Sequence, residues 1–259
     1  MSRFTDAELY LRGSDTLLAS WEAYACGAVG AAVKRSPGVA AAVFPDGPER
    51  AFYNNALLQR DLGPGERAEA LDAMETAYFA AGITCFAAWV HESDRAMRGE
   101  LERRGYTFDT TTRAMGMALD DIRLPRPQIQ LGTAEWLEYL SMEGLPPGFL
   151  ADADHAALHL LVTRIHGEIV AAALAYDCAD DCGIYNVGTV EKARRRGLGT
   201  ALTAAQVHDA RARGCQTASL QSTHMAESVY AAVGFRDLGR ILEYVPSRER
   251  VSAAAMEGE

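Results

Sequence analysis

The chain has 259 residues, 49% of them hydrophobic and 23% charged, with a formal net charge of −10. That length suits two domains of ordinary size and the apolar fraction can fill their cores, which excludes disordered and fibrous classes. The acidic balance repels nucleic acid and anionic membranes at long range and suits a cationic acceptor such as an amine.

The five cysteines, Cys26, Cys85, Cys178, Cys182 and Cys215, are odd in number and scattered. They form neither a disulfide framework nor a zinc set, so the expectation is reduced thiols, a cytoplasmic location and no metal. The first residues lack an apolar signal core. The small, apolar stretch 23–33 is too short to span a bilayer and reads as a buried helix.

In chain order, the first half reads as a helix over 66–81 stopped by Gly82, then an apolar strand over 84–90. A helix over 94–104 follows, ending at Gly105-Tyr106, and an extended segment over 107–119 closes the half. Two prolines and several charges over 120–128 break regular structure and mark a join.

The second half reads as a short helix over 135–142 and a strand over 159–165. The turn His166-Gly167 leads to a returning strand over 168–176, and another strand covers 183–190. A glycine loop then opens a helix, Leu198 to Arg213, stopped by Gly214. A strand over 217–221 and a helix over 225–233, ending at Gly234-Phe235, come next. A hairpin-like segment over 236–245 closes the half. The two halves share the order helix, strand, helix, closing segment, with glycine stops at similar offsets, so the chain reads as two structures of one kind in tandem. The expected fold class is α/β (α+β). Each domain is a mixed, mainly antiparallel twisted sheet flanked by helices. The expected domains are 1–122 and 123–246, followed by a disordered tail, 247–259.

The loop Arg194-Arg195-Arg196-Gly197-Leu198-Gly199 carries most of the chemistry. Glycines let a ligand approach the backbone, and the unpaired N–H groups of a helix start favour an anion. Arginines add fixed positive charge. A P-loop would need a Lys after its last glycine, and the dinucleotide fingerprint would need glycine where Leu202 stands.

The strand 183–190, the R-x-x-G-x-G loop at 194–199, the helix behind it, the strand ending at Gln221 and the block Ser228-Val229-Tyr230-Ala231-Ala232-Val233-Gly234-Phe235 stand in one order. Over about residues 125–245 this order resembles the GNAT superfamily of N-acetyltransferases. The first half resembles a second, degenerate copy.

The resemblance implies transfer of an acetyl or other short acyl group from acyl-CoA to a primary amine of a small molecule. It places the pyrophosphate on Arg194, Arg195, Arg196, Gly197, Leu198, Gly199 and Thr200, and the pantetheine arm along Val187, Gly188, Thr189 and Val190. A strand bulge near Val187 or Gly188 then aims an N–H at the thioester carbonyl. Tyr230 stands where the family has its tyrosine acid, against the alternative of a core aromatic. The base stays open among Asp181, Tyr185 and His224. By period two, Tyr185 shares a strand face with Asp181 and Val187. The family's asparagine seven residues before the tyrosine is Thr223, which keeps one weaker contact.

In the first half the equivalent positions are Leu101, which cannot donate a proton, and Gly63-Pro64-Gly65-Glu66, flanked by Asp61. There proline deletes an N–H and acids oppose an anion. Asn54-Asn55 is either a turn or an acceptor contact. The expected partners are an amine acceptor, with neither nucleic acid nor membrane, in a monomer or homodimer. Two alternatives stay open: an aminoacyl-tRNA-dependent transferase, and an acyl-CoA-binding protein without turnover.

Overall fold

The computed structural model describes residues 3–47, 53–145 and 148–247. Its elements in chain order begin with α1 (Asp6–Ala25), β1 (Ala32–Ser36), β2 (Val39–Val43), β3 (Asn55–Leu58), α2 (Pro64–Phe79), β4 (Ala87–His91), α3 (Arg95–Arg103) and β5 (Tyr106–Ala118). They continue with α4 (Trp136–Met142), β6 (Leu158–Ile165), β7 (Glu168–Cys178), β8 (Asp181–Thr189), α5 (Leu198–Arg213), β9 (Thr217–Ser222), α6 (Glu227–Val233) and β10 (Arg236–Pro246).

These elements gather into two compact units, and neither is contiguous in sequence. Unit 1 takes residues 1–24 and 113–238, and unit 2 takes 25–112 and 239–259. The tail 247–259, apart from Ser247, lies outside the described residues.

The sheet of unit 2 runs β1-β2-β3-β4-β10 and that of unit 1 runs β6-β7-β8-β9-β5. In unit 2 the successive pairings are antiparallel, antiparallel, parallel and antiparallel. Unit 1 repeats that series. Each is a mixed, mainly antiparallel sheet flanked by helices, as the α+β reading expects. The fifth strand of each sheet comes from the other half of the sequence. Residues Arg113–Ala118 of β5 pair with β9, and residues Ile241–Tyr244 of β10 pair with β4.

Unit 2 packs α2 and α3 on one core. Leu71, Met74, Tyr78, Phe86, Met97, Leu101 and Tyr244 are buried together there. Tyr78 stacks on Phe86 with ring centroids 4.1 Å apart. Asn54 is a structural residue in unit 2, since its side chain accepts from Phe44 N–H at 2.8 Å and donates to Phe44 O at 3.3 Å. Unit 1 packs α5 and α6 over Met115, Met117, Ile184, Val207, Leu220 and Phe235. Its first helix starts at a capping box, in which Glu8 N–H donates to the Thr5 hydroxyl at 3.2 Å and Thr5 N–H to Glu8 Oε2 at 2.7 Å.

Three local expectations need correction. The stretch 23–33 is not a helix, because α1 ends at Ala25 and β1 begins at Ala32. The helix expected over 225–233 opens as a 3₁₀ turn, His224–Ala226, before α6. The closing segment is one strand rather than a hairpin. Its glycine, Gly239, has φ +104° and lets the strand pass His91, where an added Cβ would stand 2.3 Å from the ring Nε2.

Candidate active site

Unit 1 contains a strand that parts from its neighbour. The parallel ladder between β8 and β9 covers Asp181↔Thr217 to Gly183↔Ser219, while β8 continues to Thr189. On its other side β8 stays paired with β7, but the register shifts. Ala172 faces Gly188 and Leu174 faces Tyr185, so Asn186 and Val187 together oppose Ala173. This is a β-bulge, and Asn186 takes the left-handed backbone, φ +49°, that Asn tolerates better than most residues.

The bulge changes which face each side chain uses. Before it, Asp181, Gly183 and Tyr185 lie on one face, with the Tyr185 hydroxyl lying over Gly183. Val187 packs on the opposite face with the cluster that holds Cys182, Ile184 and Tyr230, and also against Leu198 at the start of α5. The period-two expectation that Val187 shares a face with Asp181 and Tyr185 is therefore overturned, because the extra residue shifts the alternation by one.

Strand β8 leads through Val190 and the turn Glu191–Ala193 into the arginine loop. The Arg194 guanidinium Nε donates back to Thr189 O at 3.1 Å, which fixes the loop to the strand end. Arg195 has φ +61° and Gly197 φ +75°, with Arg196 between them. Left-handed residues in such a loop turn backbone N–H groups toward a common concavity. The first bond of α5 runs from Ala201 N–H to Gly197 O at 2.9 Å, so the N–H groups of Leu198, Gly199 and Thr200 precede the helical ladder. A Cβ at Gly197 would meet no atom within 4 Å, so the space over this loop is open. Arg194, Arg195 and Arg196 are exposed beside it. Open space, outward N–H groups and fixed cations suit a phosphate-bearing ligand.

Tyr230 lies on α6 at 7% exposure, its ring edge-on to Phe235 with centroids 6.1 Å apart. Burial pushes its phenol up to about 12, so it stays protonated at neutral pH. Thr223 is exposed at the end of β9, and its carbonyl accepts from Ala226 N–H at 3.0 Å. His224 is 85% exposed and sits 3.5 Å from Glu227.

Asp181 is 3% exposed and accepts from the Thr217 hydroxyl at 2.6 Å and the Ser219 hydroxyl at 2.7 Å. Burial raises its carboxyl above the usual value, against those bonds and one from Thr16. It sits about 17 Å along β8 from the bulge, at about 3.3 Å per residue. The Tyr185 phenol is buried beside Asp181, Ser20 and Tyr24, and burial first, then the Asp181 charge, raise it well above its usual value. The structure thus gathers Val187, Gly188 and 194–200 at one end of β8. It puts Asp181 at the other end, where the hydroxyls of α1 and β9 hold it.

Glu143 lies just past the short helix expected over 135–142. It caps the C-terminus of α4, with its N–H donating to Tyr139 O at 3.0 Å. A Cβ built on Gly188 would lie 3.5 Å from Glu143 Oε1. One turn back on the same helix face, the Tyr139 hydroxyl accepts from Asn186 Nδ2 at 3.1 Å. Helix α4 therefore docks on the bulge itself. Burial pushes the Glu143 carboxyl up to about 7.

Fold and site together define a sheet that offers the free edge of a bulged strand and an anion-ready helix start. Residues 126–235 match the model of the acetyltransferase (GNAT) family. The fold is similar to that of a GCN5-related N-acetyltransferase from Kribbella flavida, at 16% identity over 90% of this chain and 95% of that chain, TM-score 0.66. It is also similar to a GCN5-related N-acetyltransferase from Sphaerobacter thermophilus, at 17% identity over 89% of this chain and 84% of that chain, TM-score 0.55. An acetyltransferase from the GNAT family of Colwellia psychrerythraea is similar at 13% identity over 90% of this chain and 97% of that chain, TM-score 0.52. No curated protein sequence matches the chain. Among the described residues no helix is long and apolar enough to cross a membrane, and no group of His, Cys, Asp and Glu could hold a metal ion.

Proposed function

We propose that this protein is an N-acyltransferase that moves an acetyl or other short acyl group from acyl-CoA to a primary amine of a small molecule. The observation that carries this reading is the course of β8. It leaves β9 after Gly183, bulges at Asn186–Val187 and ends in the left-handed Arg195–Gly197 loop that opens α5. The family match over 126–235 supports it.

Acyl-CoA supplies an activated thioester carbonyl. The backbone N–H groups of 195–200 hold its pyrophosphate, and the open edge of β8 over 187–190 pairs with its amide-rich arm. Backbone N–H groups at the bulge, from Val187 or Gly188, are the donors for the carbonyl oxygen. Tyr230 donates a hydrogen bond to the departing sulfur. A thiol near ~8.5 leaves readily as the thiolate, and a phenol at about 12 supplies a bond rather than surrendering its proton.

Unit 2, on this reading, is a degenerate copy that does not hold the cofactor. At the start of α2 the Gly63 N–H is already taken by Glu66 Oε2 at 2.7 Å, Pro64 has no N–H, and Leu101 is buried in the core. The five free cysteines agree with a reducing cytoplasm. The acidic net charge suits a cationic amine.

The test is thermal unfolding with acetyl-CoA and, separately, with NAD. A ligand at ~100 times its Kd adds about 2.7 kcal/mol, or roughly 5–10 °C for a protein of this size. An upward shift with acetyl-CoA alone is expected. Equal melting curves at millimolar acetyl-CoA sink the reading.

A further inference from the structure

Attack by an amine on a thioester needs a proton acceptor. A primary amine has a pKa near ~10.4 and carries an extra proton at neutral pH. The acceptor must lie where the acyl carbon sits, which on the reading above is the bulged part of β8. The groups that attract attention in the sequence lie elsewhere. Asp181 is held by hydroxyls at the far end of the strand, and Tyr185 is buried beside it. His224 is exposed next to Glu227.

We infer that Glu143, brought by α4 against Gly188, is the catalytic base that takes the proton from the attacking amine. This inference rests on the acyl-transfer reading and adds to it the residue that moves the proton. Gly188 has no side chain, and a Cβ built there would lie 3.5 Å from Glu143 Oε1, so the carboxylate sits close over the strand backbone. The Asn186–Tyr139 hydrogen bond fixes the helix on the bulge one turn away. Beside Glu143 stand Gly188 of β8 and, one turn back on its own helix, Tyr139. The nearby charges Glu138 and Arg164 satisfy each other at 2.6 and 2.7 Å. Burial alone therefore sets its titration, near 7, where a carboxylate is a far better proton acceptor than at its usual value.

The step balances within the site. The ammonium first gives one proton to solvent; the free amine nitrogen then forms the C–N bond as the C–S bond breaks, the electron pair leaves on sulfur, and the nitrogen's second proton passes to Glu143. The released base returns that proton to solvent, since the leaving sulfur departs as thiolate.

The test uses the full chain, acetyl-CoA, and the variants Glu143→Gln and Glu143→Asp. Calorimetric titration of acetyl-CoA at pH 7 in two buffers of different ionisation enthalpy reads the protons taken up on binding. An anionic ligand that further covers a carboxylate raises its pKa, so the wild type takes up a measurable fraction of a proton. Glu143→Gln takes up less, with Kd within about threefold. Free-thiol release with water, a polyamine, an amino sugar and an amino acid as acceptors reads catalysis. Glu143→Gln should lose about 10²–10³-fold in kcat/KM and the inflection near pH 7, while Glu143→Asp keeps the inflection. Equal proton uptake in wild type and Glu143→Gln, or a Glu143→Gln enzyme with the wild-type pH profile, overturns the base. Acetyl-CoA that binds neither protein overturns the acyl-transfer reading itself, and the base with it.

Discussion

On the acyl-transfer reading, burial gives the same kind of shift two different uses at Tyr230 and Glu143. Both are acids whose charged form is disfavoured by desolvation. For the phenol, a value near 12 keeps a donor in place across the whole physiological range. For the carboxyl, a value near 7 leaves a group that is ionised part of the time and holds a proton well. The difference sets the size of the Tyr230→Phe effect. A hydrogen bond to a charged partner is worth about 1.5–3 kcal/mol, so the variant should lose roughly 10–10²-fold in kcat with little change in acetyl-CoA affinity. Steady-state kinetics beside a binding titration separates the two quantities. Turnover at the wild-type rate would reduce Tyr230 to a core aromatic packed on Phe235. Tyr230 stands out in the sequence as a candidate because its neighbours, Gly234 and Phe235, mark a helix end of recognisable kind. Glu143 does not. Its role depends on α4 docking against a strand more than forty positions away, and no local pattern around it reports that contact.

At the scale of elements, two helix starts with similar sequences have opposite electrostatics. The N-terminus of α5 is headed by a left-handed glycine with open space above it and exposed arginines beside it. The N-terminus of α2 is headed by Gly63-Pro64 and closed by the Glu66 carboxylate. Gly197→Glu should therefore abolish acetyl-CoA binding, through a strained left-handed backbone and a negative charge set at the helix start. Gly65→Ala in α2 meets no atom within 4 Å and replaces a poor helix former. It should leave acetyl-CoA affinity unchanged and raise stability by about 0.5–1 kcal/mol. Calorimetric titration of the pair decides the matter, and a clear loss of affinity in the α2 variant would put cofactor in unit 2. Helices α2 and α5 and strands β6 to β9 could be placed from glycine stops and apolar runs. The bulge could not. A two-against-one mismatch belongs to a pair of strands, and Asn186 alone gives no reason to expect it. The same holds for β10. The segment 236–245 reads as hairpin-like in sequence, yet it is one unbroken strand whose Gly239 lets it pass beside His91.

For the molecule as a whole, the repeated order of elements was visible in the glycine offsets, but membership of the sheets was not. A reading that cuts the chain near 122 assumes that each half closes its own sheet. In the structure, β5 follows α3 in sequence and completes the sheet of unit 1, while β10 follows α6 and completes that of unit 2. Pairing between distant segments is invisible to any local window. It has a direct consequence for stability. A chain ending at Leu238 would strip β4 of one of its two partners, β10, and remove Tyr244 from the buried cluster of unit 2. Loss of one such buried aromatic costs about 3–5 kcal/mol. A bared inner strand adds unpaired backbone groups to that cost. Against a total stability of order 5–15 kcal/mol, unit 2 should unfold, and residues 25–112 should become the first target of limited proteolysis. By the same reasoning, fragments 1–122 and 123–259 should each be insoluble when made alone and should copurify when made together, because each carries the strand the other needs. A fragment 123–259 that melts cooperatively on its own and binds acetyl-CoA with full-length affinity would show that β5 is dispensable to unit 1. The exchange of strands would then be an incident of topology, with no part in the stability of the site.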